Sequence, residues 1–184
     1  MIVRWILLAL LVPAMASSQE TTDPVQRVAD ALNQGALAEQ SGDPKAMAEA
    51  ARTLDLLGAK PVEGEENVAS RWRDLAKAGG VKDLSQPYRG RALGPAYRKG
   101  VLAPRATLAT EQIFLAGKKA VISVVPETGR TLAMSVTTPG QAICAQDVAA
   151  PRGVCSWLPV FTRRVEIRLV NQGDLPSHYY LVSN

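Results

Sequence analysis

The sequence predicts an α+β protein in which two to three short helices precede an antiparallel β-sandwich of about seven strands with one disulfide. Three observations support this fold class. The first half of the chain spaces its apolar residues as an amphipathic helix does, whereas the second half alternates apolar and polar residues. Turn-forming residues separate the alternating stretches at intervals of roughly ten residues, as in a sandwich. Two cysteines, Cys144 and Cys155, lie in this second half.

Residues 1–16 have the layout of a secretory signal peptide. Arg4 supplies a positive charge, residues 5–12 form an apolar run, and Ala14-Met15-Ala16 gives the small-x-small pattern of a cleavage site. The run is shorter than the roughly 20 residues that a membrane span needs. Cleavage after Ala16 predicts a periplasmic or secreted chain whose mature form has no transmembrane segment. An uncleaved membrane anchor is the alternative.

Two helices are expected to begin at Asp-Pro pairs in the acidic helical region, residues 17–80. Asp23 and Asp43 each precede a proline, so each aspartate can cap a helix and each proline can occupy the first helical position. A third helix is expected over "NVASRWRDLAKAGG". The residues predicted to face inward are Val25, Val28 and Leu32 in the first helix, Met47, Ala50, Leu54 and Leu57 in the second, and Val68, Trp72 and Leu75 in the third.

The sandwich is predicted over residues 101–184, after a basic lead-in at 81–100. "KAVISVV" is almost wholly apolar, as a central strand is, whereas "RTLAMSV" and "RRVEIRLV" alternate as strands with one solvated face do. Further strands are expected at "TLATEQIFLA", "QAICAQ", "CSWLPVF" and "SHYYLVS", with turns at "PETG", "TPG" and "NQGD".

Cys144 and Cys155 are predicted to form a disulfide. An exported chain meets an oxidising compartment, where an even number of cysteines favours pairing. Closing so short a loop should stabilise the fold by about 2–3 kcal/mol. The alternative is a pair of thiols in a metal or redox centre. A redox pair is usually spaced C-x-x-C, and zinc would need more Cys or His ligands than the chain contains.

The order of motifs in the second half carries a family resemblance. "GVLAPRATLATEQIFLAGKKAVISVV" is followed by "TLAMSVTTPG", "FTRRVEIRLVNQG" and the closing "SHYYLVSN". On these motifs, the segment from Gly100 to Asn184 resembles the bacterial pre-peptidase C-terminal domain, a small β-sandwich appended to secreted proteins. Some members bind calcium through acidic residues before an L-x-L strand. Here only Glu127 remains at that place and Arg130 intrudes, so the resemblance implies no calcium site.

Charge is distributed unevenly along the chain. Residues 17–66 contain ten acidic and four basic side chains, whereas residues 71–184 contain sixteen basic and seven acidic ones. Export makes nucleic acid an unsuitable partner for the basic half. Its cations then either dock on the protein's own acidic helices or bind an envelope protein or an anionic envelope polymer. The candidate binding residues are Arg89, Arg91, Tyr97, Arg98, Lys99 and Arg105.

The aromatic residues allow two interpretations, a stacking platform for a sugar or peptide, or core packing. Trp157 follows Cys155 by two residues, and an aromatic packed against a disulfide is common in sandwich cores. Core packing is therefore expected for Trp157 and Phe161. The remaining aromatic candidates for a platform are Tyr88, Tyr97, Tyr179 and Tyr180.

The sequence favours a non-catalytic role. His178 is the only histidine and lies in an alternating strand, where a structural role is expected, and the chain contains no G-x-S-x-G motif. Neither a P-loop nor a dinucleotide fingerprint is present, so no cofactor is predicted. The function predicted is an exported accessory or interaction protein. The alternatives are a folding helper and an envelope hydrolase with a carboxylate pair drawn from Glu63, Glu65 and Glu66.

Overall fold

Helices come first and strands second in the computed structural model, which describes residues 23–82 and 94–184. The helices are α1 (Pro24–Ser41), α2 (Pro44–Leu56) and α3 (Val68–Ala78). The strands are β1 (Lys60–Pro61), β2 (Ala96–Leu102), β3 (Thr107–Phe114), β4 (Ala120–Pro126), β5 (Thr131–Thr138), β6 (Gln141–Ala149), β7 (Gly153–Trp157), β8 (Arg163–Asn171) and β9 (Ser177–Ser183). The predicted signal peptide, residues 1–16, lies outside the described residues.

Two sheets form the sandwich. The helix-side sheet has the strand order β1-β2-β9-β4-β7, and the outer sheet has the order β3-β8-β5-β6. The short β1 pairs with β2 in parallel, and all other pairs in the described chain are antiparallel. The predicted α+β class, the order of helices before a sandwich, and the single disulfide are confirmed.

The helix-side sheet is the middle of three layers. Every residue of β4 is buried, which explains why "KAVISVV" carries almost no polar side chain. Val121 and Val125 belong to the core shared with the helices. Ile122 and Val124, on the opposite face, belong to the core between the two sheets.

The predicted caps form at the starts of α1 and α2. The Asp23 carboxylate accepts from the Val25 N–H at 3.0 Å, and the Asp43 carboxylate accepts from two N–H groups in the first turn of α2, at 3.0 and 3.1 Å. α1 ends at Gly42, whose φ of 68° is the left-handed conformation that glycine adopts without strain. The two Asp-Pro pairs therefore set the helix starts as predicted.

The inward face of α3 differs from the prediction at one position. Val68 and Trp72 are fully buried, but Leu75 is exposed and Ala76 is buried in its place. The buried α3 residues Ala69 and Ala76, one turn to either side of Trp72, are small. The six-membered ring of Trp72 packs against Gly35 of α1, and its Nε1 donates to Glu39 Oε2 at 2.9 Å, one helical turn further on.

The basic lead-in contains a strand that its sequence pattern does not predict. β2 starts at Ala96 and pairs along its whole length with β9, so the predicted boundary between residues 100 and 101 falls inside a strand. Arg98, Lys99 and Gly100 interrupt the apolar alternation that identifies a strand with one wet face. The sandwich therefore begins earlier than its hydrophobic pattern indicates.

The loop after β7 corrects the expectation for one aromatic residue. β7 ends at Trp157, which is half-buried and meets Phe114 edge to face at 4.8 Å between ring centroids. Phe161 is 64% exposed, so the prediction that it packs in the core was wrong. Pro159 lies between the two aromatics, and a strand residue without an N–H cannot continue a ladder. The chain turns there and carries Phe161 outward.

The disulfide joins the two sheets. Cys144 lies on β6 of the outer sheet and Cys155 on β7 of the helix-side sheet, with 6.1 Å between their Cα atoms. β6 and β7 are consecutive in the chain but belong to different sheets. The bond therefore holds the corner where the chain crosses from one sheet to the other. Among the described helices, none is both long and apolar enough to span a bilayer.

Gly35→Ala should destabilise the protein by about 1–2 kcal/mol, although alanine is the better helix former by about 1 kcal/mol. The added Cβ would overlap atoms Cη2 and Cζ3 of Trp72. Urea unfolding measures the effect. In a Trp72→Phe background, which removes those two atoms, the same change should be neutral or stabilising. Destabilisation of equal size in both backgrounds would contradict this packing.

Replacing both cysteines, as Cys144→Ser with Cys155→Ser, should lower the free energy of unfolding by about 2–3 kcal/mol. The double variant should unfold at the same urea concentration with or without a reducing agent, whereas the wild type should shift only when reduced. An unfolding curve of the wild type that is indifferent to reduction under unfolding conditions would show that the link contributes nothing.

Candidate functional site

A cleft opens where the second half of α1 meets the helix-side sheet. Its volume is about 360 Å³, within the range of small-ligand sites. The described residues that line it come from α1, α3, β2, the end of β4 with its following turn, and the start of β9. They are Asn33, Ala36, Leu37, Glu39, Gln40, Arg71, Lys99, Val125, Pro126, Glu127, Thr128, His178, Tyr179 and Tyr180.

The floor of the cleft is a row of side chains across three strands. Lys99 of β2 is paired with Tyr180 of β9, and Tyr180 is paired with Val125 of β4. Residues paired in this way point to the same face of a sheet, here the face that meets the helices. Tyr180 is 7% exposed, and Leu37 of α1, 42% exposed, forms the facing apolar wall. The sheet register thus places an aromatic and an aliphatic group at the base.

The rim is a chain of alternating charges. Arg71 of α3 contacts the carboxylates of Glu39 and Glu66, the latter at 3.4 Å. Lys99 Nζ lies 3.2 Å from the same Glu66 carboxylate. Glu39 also accepts from Trp72 Nε1, so its position is fixed from two sides. The network ties α1, α3 and β2 together, and within it each cation has a carboxylate partner.

The opposite side of the cleft is built by the turn after β4. The Glu127 N–H donates to the His178 carbonyl at 2.8 Å, and the His178 N–H donates to Glu127 Oε2 at 3.4 Å. These bonds hold the turn against the start of β9. The exposed His178 side chain and the hydroxyl of Thr128 lie on this rim.

Burial raises the pKa of the two phenols near the cleft. Burial raises the pKa of Tyr180 to about 12, and it also raises the pKa of Tyr179 from the usual 10.0. A phenol with such a pKa remains a neutral hydrogen-bond donor through the physiological range. The Tyr180 phenol on the floor of the cleft is therefore uncharged at neutral pH.

Tyr97, a predicted binding residue, has a structural position. It is 1% exposed, and its hydroxyl accepts from the Val68 N–H at 3.1 Å, the first residue of α3. The first N–H groups of a helix have no partner within the helix, so the phenol satisfies one of them. Burial raises the pKa of Tyr97 to about 12. Its ring is core between helices and sheet and is not offered to a ligand.

The basic residues that were predicted to bind together lie apart. Arg98 and Lys99 are neighbours on β2 and so point to opposite faces of the sheet. Arg98 Nε lies 3.3 Å from Glu65 Oε1, and Arg105 Nη2 lies 2.7 Å from Asp174 Oδ1 beyond the strand. Of the predicted set, Lys99 lines the cleft. Arg89 and Arg91 lie outside the described residues, as does Tyr88.

The acidic helical region is docked on the basic half of the chain. Besides the pairs at Glu65 and Glu66, Asp30 of α1 pairs with Arg152, and the Asp23 carboxylate lies 3.6 Å from Lys119 Nζ. Acidic side chains of the first half of the sequence thus form ion pairs with basic side chains of the second half. Glu65 and Glu66 are held by cations and Glu63 is exposed, so the acidic loop does not present a free carboxylate pair to a cleft.

Raising the pH from 10 to 12 should destabilise the protein through Tyr97 and Tyr180. Their pKa in the folded state is about 12, whereas it is near 10 in the unfolded chain, so the unfolded state binds fewer protons in this window. Each phenol should lower the stability by up to about 1.4 kcal/mol per pH unit. Urea unfolding across this range measures the slope.

Tyr180→Phe provides the comparison for that slope, because it removes one titrating group and keeps the ring. Its stability should fall less steeply with pH than that of the wild type. Equal slopes would mean that Tyr180 ionises as easily in the folded state as in the unfolded one.

No protein-family profile matches the chain, and no curated protein sequence matches it. Parts of solved structures do. A periplasmic inhibitor of g-type lysozyme from Aeromonas hydrophila is 16% identical with a TM-score of 0.36, the match covering 53% of this chain and 93% of that one. A mitogen from Yersinia pseudotuberculosis is 13% identical with a TM-score of 0.36, over 50% of this chain and 85% of that one.

A carbohydrate-binding module in complex with calcium and xylotriose is 13% identical with a TM-score of 0.30, over 45% of this chain and 76% of that one. Scores this low assign neither family nor function. The resemblance of residues 100–184 to the pre-peptidase C-terminal domain stays a prediction.

Proposed function

We propose that the protein is an exported, non-catalytic binding protein whose ligand site is the cleft between α1 and the helix-side sheet. The cleft is the observation that carries the proposal. It combines an apolar floor, Tyr180 and Val125, with a rim of hydroxyl, amide, imidazole and charged groups. An apolar recess with a few convergent polar groups is the usual form of a binding site for a small ligand.

The pairing of both rim cations, Arg71 and Lys99, with carboxylates favours an uncharged polar ligand. An anionic ligand would have to compete with Glu39 for Arg71, or with Glu66 for Lys99. A cationic ligand would have to displace these cations or rely on Glu127 alone, whose carboxylate accepts from the His178 N–H at 3.4 Å. A neutral ligand can hydrogen-bond to Asn33, Gln40 and the outer edges of the ion pairs without breaking them. Envelope glycans have this chemistry, since each sugar ring offers hydroxyl groups at its edge and an apolar face. We therefore propose a neutral glycan segment as the ligand.

The proposal that the protein is exported rests on residues 1–16, which have the layout of a secretory signal peptide. The disulfide between Cys144 and Cys155 is consistent with it, because such bonds persist in oxidising compartments. A binding role is favoured over an envelope hydrolase because Glu66, one of the predicted acids, is held by Arg71 and Lys99. A carboxylate paired with two cations is not free to face a substrate.

Titration of the isotope-labelled mature chain with neutral N-acetylglucosamine oligomers tests the site. We expect amide shifts at the end of β4, in the turn at 127–128 and at the start of β9, where the cleft walls lie. Leu37→Asp should weaken binding about tenfold or more, because it removes the apolar wall. Leu56→Asp is the matched control, since Leu56 is 47% exposed on α2 and does not line the cleft.

Two results would overturn the proposal. One is a set of shifts confined to the outer sheet, with equal affinity in both leucine variants. The other is binding of acidic polymers in preference to neutral oligomers, which would contradict the charge argument. Preference for an uncharged peptide over the sugars would keep the cleft as the site and replace the glycan as its ligand.

A further inference from the structure

One end of the sandwich carries four exposed large apolar side chains. Leu115 follows β3, and Leu158, Val160 and Phe161 lie in the loop between β7 and β8. They are 50%, 65%, 78% and 64% exposed, respectively. We call these four residues the apolar tip. Exposed apolar residues scattered singly are ordinary, but four on two adjoining loops make a candidate interaction surface.

The two loops of the apolar tip are joined to each other. The Gly117 N–H donates to the Pro159 carbonyl at 2.9 Å, and the Ala116 N–H donates to Thr162 Oγ1 at 3.0 Å. Pro159 itself is buried, and Trp157 packs on Phe114 directly beneath. The loops are thus anchored from below, and their apolar side chains project from a fixed base.

Cations surround the apolar tip. Lys118 and Lys119 follow Leu115, and Arg163 and Arg164 follow Phe161, whereas residues 112–120 and 157–165 contain no acidic side chain. The Arg163 guanidinium lies 5.5 Å from the centre of the Phe161 ring. Lys119 pairs with Asp23 at 3.6 Å and Arg164 with Glu111 at 2.9 Å. Within the described chain, Lys118 and Arg163 have no carboxylate within ion-pair distance.

We propose that the apolar tip docks on an anionic lipid bilayer, with its four apolar side chains at the boundary between headgroups and acyl chains. Projecting apolar groups ringed by Lys and Arg match this boundary, where hydrocarbon lies beneath a layer of phosphates. A second copy of the chain fits less well. Bringing two apolar tips together would place the cations of one copy against those of the other.

The apolar tip and the cleft lie at opposite ends of β4. The strand starts at Ala120, just after Lys119, and ends at Pro126, on the wall of the cleft. Seven strand residues span about 20 Å. A molecule docked by its apolar tip would hold the cleft away from the bilayer and open to the surrounding medium. The proposal does not depend on which ligand the cleft binds.

Co-sedimentation of the mature chain from Ser17 with vesicles tests the proposal. The probes are vesicles of phosphatidylcholine alone and vesicles of phosphatidylcholine with phosphatidylglycerol. We expect binding to the anionic vesicles that weakens as salt is raised. Val160→Asp with Phe161→Asp should weaken binding at least tenfold, and Lys118→Glu with Arg163→Glu by a similar factor. Leu175→Asp, at a 55% exposed leucine before β9, is the matched control and should bind as the wild type does.

Tryptophan fluorescence tests separately whether the apolar tip inserts into the bilayer. Phe161→Trp should show a blue-shifted emission on anionic vesicles, and brominated acyl chains should quench it. Absence of vesicle binding, or binding that the Val160→Asp/Phe161→Asp variant retains in full, would overturn the proposal. So would a dimer in sedimentation that this variant abolishes, because it would assign the apolar tip to a second copy. Loss of glycan binding in the Leu37→Asp variant leaves these outcomes unchanged, so the two proposals fail separately.

Discussion

The burial of the helix-side sheet on both faces is the constraint on which the rest of the structure depends. β4 and β9 lie in the middle of this sheet, with the helices on one face and the outer sheet on the other. Without the helices, the apolar side chains of Val121, Val125 and Val182 would face water. At about 25 cal/mol per Å² of apolar surface, such exposure outweighs the exposed ion pairs, which contribute about 0–1 kcal/mol each. The helices are therefore a required layer of the fold, and the ion pairs along their edge mainly fix where that layer sits.

The same constraint produces the cleft. α1 covers the sheet over Val121 and Val182, but the row formed by Lys99, Tyr180 and Val125 extends to the edge of the helical layer. The sheet register places the apolar floor of the cleft at this edge, and the turn after β4 forms the wall beside it. Arg71, which binds Glu39 on one side and Glu66 on the other, holds α3 against α1 and so sets one wall. The site is thus a consequence of a helical layer that ends before the sheet does.

Local signals were sufficient to predict the helix starts, the central strand and the disulfide, because each depends on residues close in sequence or on an even cysteine count. Long-range contacts explain what was missed. β2 is polar at Arg98 and Lys99 because glutamates thirty-three residues earlier in the chain neutralise both cations. From its sequence neighbours alone, Tyr97 is expected to be an exposed aromatic among cations. In the structure it is buried, and its hydroxyl accepts a hydrogen bond from the Val68 N–H of α3.

Of the cleft residues, Lys99 was predicted to bind, and Tyr179 and Tyr180 were candidates for an aromatic platform. Glu39 and Arg71 carried no signal, since nothing in the sequence indicates that their helices meet.

The two proposed surfaces differ because the acidic helices reach one and not the other. Carboxylates of the helical region or its loop pair with Lys99 and Arg71 at the cleft, so its cations are balanced within the molecule. At the other end of β4, Asp23, the N-cap of α1, forms an ion pair with Lys119 but not with Lys118 or Arg163. Lys118, in the loop before β4, and Arg163, at the start of β8, lie next to apolar side chains that no described layer covers. Paired cations around an apolar floor suit a neutral ligand. Unbalanced cations around projecting apolar groups suit a surface that is both anionic and apolar. The position of three helices along one sheet therefore decides the chemistry at both ends of the molecule.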